Sequence, residues 1–150
     1  MTITKWASWH VRVWNSSKPQ LEKHGFKGVV MVVNVETALK ILRRVPDSNG
    51  FFFFTGLGQY MGVYATSLAD FCQKLRTVDL KSVEFHSKRG DFDNWIRTTI
   101  GDAYLADEVK RVERSFNGEQ LRTALCQVVE ARVAELRKIS ASDETSIRRM

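Results

Sequence analysis

"GFFFFTGLGQYMGVY" (residues 50–64) is the stretch on which the reading of this chain turns. Four consecutive phenylalanines on a β-strand must divide between two faces, since successive side chains point opposite ways. The glycines of "TGLG" close a tight turn that joins the Phe run to a second strand. If Gly56 stands opposite Gln59, Phe54 faces Met61 and Phe52 faces Val63 on a core face, and Phe51, Phe53, Tyr60, Gly62 and Tyr64 lie on the other. A turn longer by one residue slips the register and groups Phe52 and Phe54 with the tyrosines instead. Either way two phenylalanines share a face with two tyrosines. The first register is carried forward, with Phe51, Phe53, Tyr60 and Tyr64 as the outward set.

N-terminal to the Phe run, "WASWHVRVW" (6–14) alternates as a strand, with Trp9, Val11 and Val13 on one face and Trp6, His10, Arg12 and Trp14 on the other. Residues 15–28 form a polar loop carrying Lys18, Lys23 and Lys27. "VVMVVNV" (29–35) is nearly continuous in β-branched residues and predicts a central strand buried on both faces. Asn34 is positioned to cap a helix whose Ala38, Leu39, Ile41, Leu42 and Val45 face inward. Two strands here and two in the hairpin predict an α+β domain over residues 1–101, with a small, mainly antiparallel four-stranded sheet packed with helices.

On the C-terminal side, "ATSLADFCQKLRTV" is an amphipathic helix opened by Ser67 with Asp70. Two short helices follow, one capped by Asp79 and one started by Asp91 and stopped by Gly101. From Asp102 the chain is helical again, with Leu105, Val109, Val112 and Phe116 in one stripe. A second stripe holds Leu121, Leu125, Val128, Val129, Val133, Leu136 and Ile139, rotated from the first by about 160° along an unbroken helix. If the helix runs on, the second stripe faces away from the body, and Leu121, Leu125, Val128, Val129, Leu136 and Ile139 make the seam of a homodimer. If Asn117-Gly118 breaks it, the last helix folds back on its own core. The zipper over residues 102–139 is the reading carried forward, with residues 140–150 as a frayed tail. Arg132 falls inside the stripe, either snorkelling or setting the register.

Charge points to a partner. The chain carries a net +6, and residues 1–64 hold eight Lys/Arg against three Asp/Glu, so nearly all the excess lies there, with three of the four tryptophans and the Phe run. That overlap suits a polyanion. No apolar run reaches the roughly 18 residues a membrane helix needs, and "MTITKWASWHVRVW" lacks the pattern of a secretory signal. The expectation is a soluble, cytoplasmic, nucleoid-associated protein without membrane contact. Cys72 and Cys126 form no C-x-x-C pair and are read as free, buried thiols.

Catalytic chemistry finds little support. Glu84, His86, Asp91 and Asp93 could serve as acid and base, but their spacing matches no catalytic geometry, and Asp91 has a structural place at a helix start. The scattered His10, His24 and His86 fit no metal site, and the glycines fit no phosphate loop. No enzyme activity, cofactor or metal is expected. Aromatics on a sheet face among cations describe a platform for a single strand, in which rings take bases and cations take phosphates. The competing reading has helices cover that face, so that both Phe pairs are core. Neither the RNA-recognition motif nor the OB-fold fits the expected order or number of strands.

"KWASWHVRVW", "FFFFTGLGQYMGVYATSLADF", "EFHSKRGDFDNWIRTTIGDAYLADEV" and the zipper-like tail together resemble the ThermoDBP family, single-stranded DNA-binding proteins of certain thermophilic archaea that lack the usual OB-fold protein. The "RGDF-NWI" segment also resembles a broader family of uncharacterised domains. The resemblance implies a non-enzymatic protein whose N-terminal domain holds DNA in an apolar cleft edged by basic residues, and whose C-terminal zipper makes a dimer. Protection of single strands in replication or repair is the corresponding expectation. Strand parity nominates Trp6, His10, Trp14, Phe51, Phe53, Tyr60 and Tyr64 to stack bases or line the groove, and Lys5, Arg12, Lys18 and Lys27 to hold phosphates, with the choice between DNA and RNA left open. A dimeric protein-interaction adaptor using the same apolar face is the alternative.

Overall fold

The computed structural model describes residues 32–149, with side chains throughout except at 143–147. Among these residues the architecture is a two-stranded antiparallel hairpin set among six α-helices. This overturns the expected four-stranded sheet. The strand at 6–14 lies outside the described residues, as do 29–31; of the strand expected at 29–35, residues 32–34 take no regular structure and Val35 already opens a helix. Helix α1 is Val35–Leu42, capped as expected by Asn34, whose side chain accepts from the Thr37 N–H at 2.8 Å. Leu39 departs from the pattern: Ala38, Ile41 and Val45 are buried, while Leu39 points to solvent.

The hairpin joins β1 (Phe51–Phe54) to β2 (Tyr60–Ala65). Its turn is one residue longer than the tight form, because the Thr55 N–H donates to the Gln59 carbonyl, leaving Gly56, Leu57 and Gly58 as the loop. Phe54 therefore pairs with Tyr60, and Phe52 with Tyr64. Between these pairs β2 spends two more residues than β1, a bulge accommodated at Gly62, whose φ of 73° suits a residue without Cβ. Two extra residues preserve side-chain parity, so Phe52, Phe54, Tyr60 and Tyr64 share one face. Phe51 and Phe53 take the other and are buried, Phe53 completely. The outward assignment of Phe51 and Phe53 is thereby corrected to the longer-turn alternative.

The inward rings organise the core. Phe51 lies 5.0–5.7 Å, ring to ring, from Phe53, Phe71, Phe92 and Trp95, and the Trp95 indole N–H donates to the Asn49 carbonyl at 2.9 Å. Phe71 comes from α2 (Leu68–Leu75), which Ser67 caps while Asp70 accepts in return from the Thr66 N–H. Helix α3 (Leu80–Arg89) starts at Asp79 and packs on β1. Phe92 and Trp95 belong to α4 (Asp91–Trp95), which widens into a π-turn at Ile96–Ile100 closed by the Gly101 N–H on the Ile96 carbonyl.

Helix α5 (Ala103–Ser115) ends at Phe116, and α6 (Gly118–Arg148) starts anew with Gly118 at φ 58°. The Asn-Gly pair breaks the helix, and α6 folds back against α1, α2, α3 and α5. Leu121, Leu125, Val128, Val129, Val133 and Leu136 are buried within the chain, and Ile139 is half-buried. The expected zipper seam is therefore core of the same chain. Each such side chain gains about 1.5–3 kcal/mol from burial, which an exposed seam would forgo without a partner. From Val33 the described residues form one compact unit, and the last helix continues past 139 to Arg148.

Arg132 is buried within the chain instead of snorkelling. Its Nε and second guanidinium nitrogen grip Asp102 at 2.7 and 3.2 Å, its first nitrogen meets Glu135 at 2.9 Å, and its plane lies over Tyr104 at 4.9 Å. Asp102 also caps α5 by accepting from the Leu105 N–H, so one buried carboxylate ties the start of α5 to the middle of α6. Arg132→Ala leaves that carboxylate buried and unpaired, and should lower unfolding free energy by about 3–5 kcal/mol. Urea denaturation checks this, and a loss under about 1 kcal/mol would show that the pair does not anchor α6.

Candidate functional site

The outer face of the hairpin carries a row of rings in contact. Tyr64 stacks on Phe52 at 5.2 Å and 18°, Phe52 meets Tyr60 edge-on at 5.8 Å, and Tyr60 meets Phe54 at 5.4 Å. Such cross-strand pairs stabilise the hairpin by about 0.2–1 kcal/mol each, yet the row is not covered: Phe52 is 36% and Tyr60 45% exposed. At the hairpin tip Leu57 is 81% exposed. A groove of about 310 Å³ opens beside the row, lined by Phe52, Phe54, Leu57, Phe85, His86 and Arg89.

Helix α3 supplies the other wall. Lys81, Phe85, Lys88 and Arg89 recur at helical spacing and lie on one face, with the three cations exposed and Phe85 half-buried. The Arg89 guanidinium stands 5.3 Å from the Phe85 ring centre, and its Nε meets Asp91 at 3.0 Å. Across the row, the Lys74 ammonium lies 5.8 Å from the Tyr64 ring while paired to Asp70 at 2.8 Å. Rings with partly exposed cations at their edges suit a ligand that combines flat apolar groups with negative charge.

His86 sets the position of the two walls. Its Nε2 accepts from the Phe54 N–H at 2.9 Å, which fixes the other nitrogen, Nδ1, as the protonated one that donates to Asp91 at 2.8 Å. Both nitrogens are thus engaged with the chain itself, and no lone pair is left for the acid–base role weighed from sequence. Burial holds the imidazole below its ordinary pKa of 6.5, against the opposing hydrogen bond and charge of Asp91. Half-buried Glu113 shifts the other way: burial, then the carboxylates of Asp93 and Asp91, push it up to about 8.

Of the residues nominated from sequence, Tyr60 and Tyr64 are in the row, and Phe51 and Phe53 are beneath it in the core. Lys5, Trp6, His10, Arg12, Trp14, Lys18 and Lys27 lie outside the described residues. The cations at Lys81, Lys88 and Arg89 and the ring of Phe85 were missed. Their i, i+4, i+7, i+8 recurrence was a legible signal, but nothing in the sequence tells which helix borders the hairpin.

Residues 48–147 match DUF5752, a family of unknown function, and since they make up two thirds of the chain, it belongs to that family. No curated protein and no solved structure matches the chain. Among the described residues no helix is long and apolar enough to cross a membrane.

The hydrogen bond from Phe54 requires neutral His86, so protonation favours the unfolded chain. A folded pKa below 6.5 means stability is complete above pH 6.5 and lost as pH falls through the folded value. Glu113, raised in the fold, weakens stability as pH rises from 4.5 toward 8, so between pH 7 and 5 it works against His86. With Glu113→Gln removing the opposing group, the melting temperature should fall on acidification from pH 7 to 5. His86→Asn should flatten that part of the profile, and an unchanged acid slope would remove His86 as its cause.

Proposed function

We propose that the outer hairpin face binds single-stranded nucleic acid without strong sequence preference. Bases stack on Phe52, Tyr60 and their neighbours, and phosphates pass along Lys81, Lys88 and Arg89 of α3. The observation that carries this reading is the contiguous row of four outward rings, two of them more than one third exposed, in a chain of net charge +6. Stacking accepts any base and contributes about 1–3 kcal/mol per base, which offsets the cost of keeping rings out of a core. A duplex hides its base faces and gains only the electrostatic part. The role is binding, with protection of single strands as its use.

Fluorescence anisotropy of labelled single-stranded DNA, single-stranded RNA and duplex of matched sequence tests the proposal. Phe52→Ala and Tyr60→Ala should each weaken single-strand binding by roughly 5- to 150-fold. Arg89→Ala should reduce the slope of log affinity against log salt by about 0.7. Equal affinity for duplex, or ring variants that bind as the parent does, would overturn it. A protein partner docking on the same face is the second reading, favoured by Leu57, an aliphatic side chain at the tip that offers a base no ring. It predicts that oligonucleotides leave the anisotropy unchanged.

A further inference from the structure

The two cysteines, 54 residues apart in sequence, face each other between α2 and α6. The Cys72 thiol donates to the Cys126 carbonyl at 3.5 Å, and the Cys126 thiol reaches the Cys72 carbonyl at 3.9 Å. Each sulfur thus lies within 4 Å of the other residue's carbonyl oxygen, which places the two side chains next to each other across the helix interface. Both are free thiols and buried, at 4% and 6% exposure. An open groove of about 470 Å³ between the same two helices has Cys72 in its wall, with Gln73, Arg76, Glu130 and Arg137, and an ion pair joins Arg76 to Glu130 across it.

We propose that Cys72 and Cys126 are a redox pair, which a small peroxide entering by this groove converts to a disulfide linking α2 to α6. Peroxide meets Cys72 first. Its O–O bond breaks as one oxygen is transferred to the sulfur, giving a sulfenic acid, and the other leaves as water with the thiol proton. The Cys126 sulfur then attacks the Cys72 sulfur, and the hydroxyl departs as a second water with the Cys126 proton. Two thiols lose two electrons in all, and the peroxide takes them.

The surroundings favour the second step. Contact with Cys72, with Arg76 and Arg122 nearby, brings the Cys126 thiol down to about 7 against the effect of burial. The same contact and burial push the Cys72 thiol up, and its place in the groove wall is what puts it first in the peroxide's path. Apolar burial alone would leave both thiols inert, whereas here a pair, neighbouring cations and a path from solvent occur together. A thiol reductant returns the pair to its starting state.

The full chain, reduced and then treated with hydrogen peroxide, tests this directly. The expected result is loss of both titratable thiols, an intact mass lower by two hydrogen atoms, and a non-reduced peptide joining the Cys72 and Cys126 segments within one chain. The melting temperature should rise by roughly 10 °C and fall back with dithiothreitol, as expected for closing a loop of this length. Cys126→Ala should abolish the cross-linked peptide. Two thiols still titratable after treatment, oxygen gained without a cross-link, or a cross-link formed only between chains would each overturn the proposal.

Discussion

Two phenylalanines of the β1 strand can enter the core only if the two that alternate with them leave it. This alternation governs the molecule. Phe51 and Phe53 complete a cluster with Phe71, Phe92 and Trp95, drawn from α2 and α4, and the energy of that cluster holds the hairpin down. The outward row of Phe52, Phe54, Tyr60 and Tyr64 is its geometric consequence. A surface that a small domain would otherwise avoid is thus fixed by the same interaction that stabilises the fold.

His86 makes the coupling tighter. It lies 4.8 Å from Phe51 ring to ring, accepts the Phe54 N–H and donates to Asp91, so it touches the inward cluster, the hairpin backbone and the start of α4 together. Helix α3 is held against β1 by this histidine, and the same helix presents Phe85 and Arg89 to the groove, with Lys81 and Lys88 exposed on the same helical face. Asp91 in turn pairs with Arg89. The position of the cations relative to the rings is therefore set by buried hydrogen bonds more than by the exposed pairs, which contribute little on their own.

Helix α6 plays the equivalent part on the other side of the chain. It packs on four other helices, its middle is pinned by Arg132 on Asp102, and Arg122 near its start donates to the Leu75 carbonyl at the end of α2. Cys126 lies between these two anchors and faces Cys72. Helix α2 then joins the paired thiols to the ring row, since Lys74 on the same helix reaches over Tyr64. A covalent link between α2 and α6 would stiffen the support beneath the proposed binding face without altering the face itself.

The local choices were legible. Asn34, Ser67, Asp79 and Gly101 act where their spacing places them, because a cap or a helix stop depends on a few neighbouring residues. The existence of an aromatic face was equally determined, since alternation divides four consecutive phenylalanines whatever the register. Three-dimensional packing decided the rest. One added residue in the Gly56–Gly58 turn exchanged the two Phe pairs, and the break at Asn117-Gly118 turned an apparent zipper into the core of its own chain. A single-residue slip and a one-hinge reversal both depend on which distant surfaces find each other, Phe51 against Phe92 or Leu125 within the fold, and that balance of burial is written in no single segment.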